Sequence, residues 1–263
     1  MTQRASYFAA FALVAVGTTA GMKSSAAEDV AVTPYRPTVS TPAALSAPGW
    51  LEGEAGLQSL DDATPTRRDS APYTLKLAIS DDWGVRIGGE LLVHDPRADS
   101  HHITGIGDTS VILKRRFALT ARSAFGLEVG ATAPTAPSGL HSGSGKTDCD
   151  VTVIYSTDLG TVLHADLNVG LTRVGLIRAG ESRHQGLWAL ALSDAVGPRW
   201  GLVGELSGSR QIGTDDRGQF LFAASYSPNK RITWDFGIAR GMTAATPAWT
   251  VFAGSTFLLS QLF

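Results

Sequence analysis

The sequence predicts an all-β protein, a single transmembrane antiparallel β-barrel of about 12 strands, on three observations. First, roughly twelve segments alternate apolar residues with polar or small ones at a period of two, which gives each strand two different faces. Second, short and long connections alternate along the chain. Third, the last stretch, Trp249 to Phe263, keeps the same alternation and ends on an aromatic residue.

The first 27 residues are predicted to be a secretory signal peptide, with cleavage after Ala27 or after Ala20. Arg4 precedes an apolar run from Ala5 to Val16, and small residues follow at Ser25, Ala26 and Ala27. The run is shorter than the roughly 20 apolar residues that a spanning helix needs. We therefore expect an exported protein, and together with the barrel pattern this indicates the outer membrane of a Gram-negative bacterium.

Residues 28–49 form a second region, a Pro-rich leader. Pro34, Pro37, Pro42 and Pro48 are spaced too closely for a helix or a strand. The favoured interpretation is a solvated periplasmic tail, and the alternative is a segment that folds into the lumen and narrows it. The remainder of the chain, residues 50–263, is assigned to the barrel.

The clearest strand pattern lies in the segment from Val162 to Arg173. Leu163 and Leu167 share one face with other apolar residues, while Asp166 and Asn168 share the opposite face. A lipid face and a wet face explain this pattern, but a secreted soluble β-sandwich also alternates. Alternation alone therefore leaves both folds open.

The connections favour the barrel, because tight turns on one side and longer loops on the other are typical of transmembrane barrels. The predicted short turns lie near Ser80 to Trp83, Thr120 to Ser123, Thr157 to Gly160, Ala195 to Arg199 and Ser227 to Lys230. The predicted long loops lie near Gln58 to Pro72, His94 to Gly107, Ala133 to Asp148, Val174 to Arg183, Gln211 to Gly218 and Gly241 to Pro247.

Aromatic residues also follow this division, since Trp50, Trp83, Trp200 and Phe263 all fall at or beside the short-turn ends of strands. An aromatic girdle belongs at that level of a transmembrane barrel. Arg115 is the discordant residue, because it falls in the lipid-facing set. Its position near the end of a strand would allow its side chain to reach the interface.

The stretch from Gly105 to Phe117, which reads Gly-Ile-Gly-Asp-Thr-Ser-Val-Ile-Leu-Lys-Arg-Arg-Phe, resembles a segment of the phenol-degradation meta-pathway family of outer-membrane proteins. The similarity extends from about Trp50 to Phe263 and includes the Tyr226-Ser227-Pro228 turn. The resemblance implies a β-barrel that acts as a small-molecule channel, with aromatic substrates as a loose assignment. It supplies no catalytic or binding residues.

Charged residues on the predicted lumen face are the main functional signal. They are expected to set conductance and selectivity, and they are Lys76, Arg86, Glu90, Lys114, Arg116, Glu128, His164, Asp166, Glu205 and Asp235. A basic wall partly facing an acidic one would create a transverse field across an open or gated pore, which is the favoured interpretation. Alternatively, the groups pair across a narrow lumen and close it, since unpaired buried charges are costly.

Histidines gather in the predicted outer loops, at His94, His101, His102, His141 and His184. Loops that converge over the barrel mouth would bring imidazoles together, but no spacing matches a known metal motif, so no metal site is predicted. Such loops do support an alternative function, a plugged structural or adhesive barrel that binds an external ligand or metal.

Catalysis is not predicted. The segment from His141 to Gly145 contains serines and a histidine but lacks the spacing of a nucleophile elbow. No phosphate-binding loop is complete either, and no cofactor is expected. Cys149 is the only cysteine, so no intramolecular disulfide can form.

The sequence therefore predicts a non-enzymatic outer-membrane channel for passive or gated uptake of small solutes, aromatic or hydrophobic ones included. The expected partners are outer-membrane lipid, a small-molecule solute and the barrel-assembly machinery. The machinery would recognise the C-terminal strand that ends in Phe263. A formal net charge of −2 gives no reason to expect a nucleic-acid partner.

Overall fold

A computed structural model describes residues 30–61, 67–96, 104–137, 140 and 145–263 of the chain. All regular elements in this part of the chain are β-strands, twelve long ones and a two-residue strand, β4. The strands are β1 Trp50–Asp61, β2 Arg67–Ala78, β3 Trp83–His94, β4 Thr104–Gly105, β5 Thr109–Ala118, β6 Ser123–Ala133, β7 Asp148–Leu159, β8 Leu163–Arg173, β9 His184–Val196, β10 Trp200–Gln211, β11 Arg217–Asn229, β12 Ile232–Gly241 and β13 Trp249–Gln261. Among these described residues, no helix is both long and apolar enough to cross a membrane.

The twelve long strands form one closed antiparallel ring. Neighbours in sequence pair with each other, and the ring closes where β1 pairs with β13 on one side and with β2 on the other. The short strand β4 lies against the end of β3, where Val93 is in register with Gly105. Closure leaves no long strand with an unpaired edge, as a membrane-spanning sheet requires. The predicted barrel of about 12 strands is confirmed.

The alternation of short and long connections is also confirmed. Five connections have two to four residues (79–82, 119–122, 160–162, 197–199 and 230–231), and six are longer. Both ends of the barrel sequence, at Trp50 and Gln261, lie with the five short connections, and we call this end the short-turn end. The first long loop was predicted too wide, because the cross-strand pairing of β1 and β2 continues to Asp61 and Arg67.

Burial alternates along most strands as the sequence predicts, and most clearly along β6. On β6, Phe125, Leu127 and Val129 are 40%, 36% and 54% exposed, whereas Ala124 and Glu128 on the opposite face are 7% and 3% exposed. The outer surface is therefore apolar and the inner one carries the charges. That arrangement is typical of a transmembrane barrel, and it is the reverse of a soluble sandwich.

Aromatic residues at the short-turn end mostly follow the prediction, since Trp83, Trp200 and Phe263 are exposed. Trp50 does not, because it is buried and the guanidinium of Arg231 stacks 5.2 Å from its ring.

Arg115 lies on the outer surface among these aromatic residues. Its guanidinium is 5.0 Å from the ring centre of Trp83 and 4.6 Å from that of Phe117. Cation–π contacts with both rings stabilise the arginine in the girdle.

Candidate functional site

The leader lies inside the barrel. Near its start, Val32 N donates to the carbonyl oxygen of Lys230, and at its end Gly49 N donates to that of Ala78. Both contacts are at the short-turn end, whereas Ser40 reaches Glu205, which is halfway along β10. The segment 30–49 therefore enters the lumen, turns back and leaves on the same side. The solvated tail that the sequence favoured is wrong for these residues, and the segment inside the lumen is what the structure contains.

Carboxylates of the barrel wall hold the leader by its main chain. The contacts are Thr33 N to Glu52 Oε2 at 2.9 Å, Tyr35 N to Glu54 Oε1 at 2.7 Å, Val39 N to Glu205 Oε1 at 3.1 Å and Ser40 N to Glu205 Oε2 at 2.7 Å. Hydrogen bonds to ionised acceptors are stronger than neutral ones. The prolines of the leader have no N–H group, so they add no main-chain donor that would need a partner in the lumen.

Hydroxyl and amide groups add further contacts beyond the turn of the leader. Ser156 Oγ accepts from Ala43 N at 2.7 Å. The Asn168 side-chain oxygen accepts from Thr41 N at 2.8 Å in the amide orientation that satisfies both of its groups. Ser156 also donates to Asp166, so the leader is connected to a second row of the wall.

Tyr35 lies between two lysines of the wall. Its ring centre is 4.0 Å from Lys76 Nζ and 4.3 Å from Lys114 Nζ, and its hydroxyl donates to the carbonyl oxygen of Ala44 at 2.7 Å. Burial raises the pKa of the Tyr35 phenol well above its usual range. The ring is therefore neutral and interacts with both cations through its face.

The cations of the wall are paired mainly with acids on the same side of the barrel. Lys76 contacts Glu52 and Glu54, and the other pairs are Arg86 with Glu128 at 2.7 Å, Lys114 with Glu128 at 3.3 Å and Arg68 with Glu90 at 2.6 Å. All of these side chains are at least four-fifths buried. The pairs lie within β1 to β6, so this half of the lumen is neutralised locally.

Arg36 is the cation that the leader itself contributes. Its Nε and Nη2 atoms donate to the two carboxylate oxygens of Asp235 on β12, at 3.2 and 3.1 Å. This bidentate pair connects the leader to the half of the barrel that has few cations of its own.

The ten charged residues predicted for the lumen all lie on the inward face. Most join the contacts described above. His164 lies near the short-turn end, with Nδ1 2.7 Å from Asp158 and Nε2 3.3 Å from Asp166. Arg116 is half-buried near the same end. Their role in conductance and selectivity stays a prediction.

A cavity of about 390 Å³ remains beside the leader. Small residues of the wall line it on one side, including Ala191, Ser193 and Ser225, and the prolines of the leader line the other. On the opposite side of the leader, next to Tyr35, the open space is only about 10 Å³. The leader therefore packs against the charged half of the wall and leaves a narrow space along β8 to β12.

A groove of about 460 Å³ lies elsewhere, on the outer surface over β13, β1 and β2. Its floor consists of small residues such as Ala71 and Ala253, and exposed apolar residues flank it, including Leu57, Leu92 and Val251. These side chains point away from the lumen, so the groove is separate from any route through the barrel.

The histidine-rich loops are only partly described. His94 Nδ1 lies 3.0 Å from the hydroxyl of Thr104. His101, His102 and His141 lie outside the described residues. Within the described ranges, no three residues of the His, Cys, Asp and Glu types gather as a metal site.

Comparison with solved structures shows similarity to outer-membrane barrels. An outer membrane channel from Pseudomonas putida F1 has a TM-score of 0.62 and 15% identity, covering 82% of this chain and 97% of the other. The NanC porin has a TM-score of 0.56 and 9% identity, covering 80% and 100%. The CymD monoaromatic hydrocarbon channel has a TM-score of 0.51 and 8% identity, covering 82% and 90%.

A scan against protein-family models and a search of curated proteins gave no match. At these identities the structural likeness concerns the fold. The chain thus has the fold of an outer-membrane β-barrel.

Proposed function

We propose that the chain is an outer-membrane channel for small solutes, located in a Gram-negative bacterium, whose leader narrows and gates the lumen. This proposal rests mainly on what fills the lumen. The leader occupies the barrel and is held to its wall by non-covalent contacts, and a cavity of about 390 Å³ lies along one side of it. In an outer-membrane barrel the short-turn end faces the periplasm. Both ends of the leader then lie on the periplasmic side.

The way the leader is held suits a gate. Its contacts with the wall are mostly hydrogen bonds and ion pairs, with one small apolar cluster of Ala43, Ala124 and Ile154. Water can replace hydrogen bonds and ion pairs when the segment moves, so their net contribution is modest, about 0.5–1.5 kcal/mol for a neutral bond and roughly 1.5–3 for a charged one. A movement of the leader would join the cavity to the rest of the lumen.

The solute class follows from the lining of the cavity and from the resemblance to the phenol-degradation family. Proline rings supply apolar contacts, while Ser193, Ser225 and Thr233 supply hydroxyl groups on the opposite side. We infer passage of small solutes with one apolar face and one hydrogen-bonding group, aromatic alcohols included. The similar structures include a channel named for monoaromatic hydrocarbons, which supports this class.

The remaining partners are part of the same proposal. Outer-membrane lipid would cover the apolar outer surface, and the barrel-assembly machinery would recognise β13 and the terminal Phe263. The ten inward-facing charged residues would set ion selectivity. No catalytic role is proposed for any residue.

A second function is favoured by the pairing of charges in the lumen. If the leader never moves, the protein is a plugged barrel with a structural or adhesive role, and its outer loops bind an external ligand. The buried pairs between β1 and β6 support this alternative, because breaking one side of such a pair is costly.

Swelling of proteoliposomes separates the two functions. The refolded full chain is incorporated into liposomes, and the swelling rate is measured in arabinose, a phenyl glycoside and a disaccharide, whose sugar hydroxyl groups keep them from crossing lipid quickly unaided. A channel gives faster swelling than protein-free liposomes for arabinose and the phenyl glycoside, and a decline with solute size. A heat-modifiable, folded barrel that leaves every swelling rate at the protein-free level would contradict the proposed channel and favour the plugged barrel.

A further inference from the structure

Three residues in one row of the inner wall form a flat slot for the side chain of Arg36. Asp235 on β12 is in register with Gly254 on β13, and Gly254 is in register with Gly56 on β1. The guanidinium of Arg36 lies over the two glycines and is bound at its edge by the Asp235 carboxylate. We call Gly56, Gly254 and Asp235 the slot.

The glycines leave the space that the planar group fills. A Cβ atom on Gly56 would lie 2.6 Å from Cζ of Arg36, and one on Gly254 would lie 2.6 Å from its Nε. Neither glycine has a positive φ, so the backbone conformation itself does not demand glycine here. A Cβ atom at either position would also lie too close to a main-chain oxygen of the neighbouring strand. Glycine at these two positions therefore allows the two strands to approach each other, as well as leaving space for the guanidinium.

The slot is next to the open space of the lumen. The Asp235 side chain is only 3% exposed, because Arg36 covers it, and Arg36 itself lines the cavity of about 390 Å³. A solute in that cavity therefore reaches the slot as soon as the arginine moves away.

The charges of the wall explain why the slot needs a cation of this shape. Lys76 is bound to Glu52 and Glu54, and Lys114 is bound to Glu128, so neither is free to replace Arg36. An uncompensated carboxylate in a buried place is costly. A guanidinium or amidinium group satisfies both carboxylate oxygens in its own plane, which an ammonium group does not.

We propose that the slot binds the guanidinium or amidinium group of small solutes, which compete with Arg36 and loosen the leader. The loosening rests on the proposed function. The binding does not, because it requires only the folded barrel.

Calorimetric titration of the folded barrel tests the site. Arg36→Ala vacates the slot, and ethylguanidinium is titrated into the full chain that carries this substitution. One binding site is expected, at least tenfold tighter than in the matched double variant Arg36→Ala/Asp235→Asn. Ethylammonium, which has the same charge without the plane, is expected to bind at least tenfold more weakly. The unsubstituted chain should bind ethylguanidinium more weakly than Arg36→Ala does, because its own arginine competes.

Each variant is first checked for heat-modifiable migration, so that only folded barrels are compared. Equal binding to the single and double variants, or equal binding of the two cations, would overturn the slot. Absent binding to a folded Arg36→Ala barrel would also overturn it. Binding at the slot together with silent bilayers would support the site and contradict the channel, so the two proposals fail separately.

Discussion

Ser40 and Glu205 are joined inside the barrel, although 165 residues separate them in sequence. The main-chain N–H of Ser40 donates to Glu205 Oε2 at 2.7 Å, and that of Val39 donates to Oε1 of the same carboxylate at 3.1 Å. Ser40 and Glu205 are each 1% exposed. One carboxylate of β10 thus holds the part of the leader that lies deepest in the lumen.

Glu205→Gln should weaken this hold while it preserves the size of the side chain. The variant loses the charge that strengthens two hydrogen bonds, and it brings an amide donor to face two N–H groups. Charged hydrogen bonds contribute roughly 1.5–3 kcal/mol each. If the free energy that holds the leader in place falls by about 1.4 kcal/mol, the open fraction rises about tenfold. Single-channel recording measures the open fraction. Leu206→Ala, on the outward face of the same strand, is the control and should leave it unchanged. An open fraction equal to that of the unsubstituted chain would contradict the role of Glu205.

Tyr35 should contribute through its ring more than through its hydroxyl. Tyr35→Phe keeps the ring between Lys76 and Lys114 and loses both hydrogen bonds of the hydroxyl, to the Ala44 carbonyl oxygen and from Lys114 Nζ. Tyr35→Ala removes the ring as well as these hydrogen bonds. Cation–π contacts of this kind are worth about 0.5–2 kcal/mol each, so the alanine variant should open several-fold more often than the phenylalanine variant. Single-channel recording of the two variants measures their open fractions. If phenylalanine and alanine open equally often, the stacking of Tyr35 on the lysines does not hold the leader.

The fold was predictable because lipid and lumen impose a period of two on every strand. The segment from Val162 to Arg173 shows this, since apolar residues from Leu163 to Leu171 on the outward face alternate with polar or small residues on the inward face. The position of Trp50 was not predictable in this way. Proximity to a strand end places an aromatic residue at the right level, but it does not decide whether the ring points outward or becomes buried beside Arg231.

The position of the leader was predicted less well, because a proline-rich composition is compatible both with a solvated tail and with a segment that fills a cavity. A usable signal existed in the charges. On the predicted lumen face the carboxylates outnumber the cations, and the leader contains Arg36 together with a run of main-chain N–H donors. The excess carboxylates on this face need cations or N–H donors from elsewhere in the chain as partners. Arg68 was missed for a simpler reason, since it lay in a segment predicted as a loop.

The charge of the lumen predicts the ion selectivity that follows removal of the leader. Without residues 30–47, Glu205 and Asp235 lose their N–H and guanidinium partners, while Lys76 and Lys114 keep their own acids. The exposed wall is then net negative and attracts cations. The reversal potential in a KCl gradient should show preference for K⁺ over Cl⁻. Glu205→Lys with Asp235→Lys in the same shortened chain should shift it towards Cl⁻, and an unchanged reversal potential would place these side chains outside the conducting path.

The face assignment predicts opposite results for two arginine substitutions. Leu167 is on the outward face and 41% exposed, so Leu167→Arg puts a charge in lipid, at a cost of about 2–4 kcal/mol near the middle of the membrane. Ser193 lines the lumen cavity, so Ser193→Arg should assemble. Heat-modifiable migration and yield in refolding assays measure assembly. Equal assembly of both variants would contradict the assignment of faces.

The measurement that tests the account most directly is the conductance of two chains in planar bilayers, the full chain and the same chain without residues 30–47. If the leader narrows the lumen, the full chain gives small or brief openings and the shortened chain gives a steady conductance several-fold larger. Equal conductance in the two chains, with both shown to be folded, would contradict the claim that the leader controls passage through the barrel.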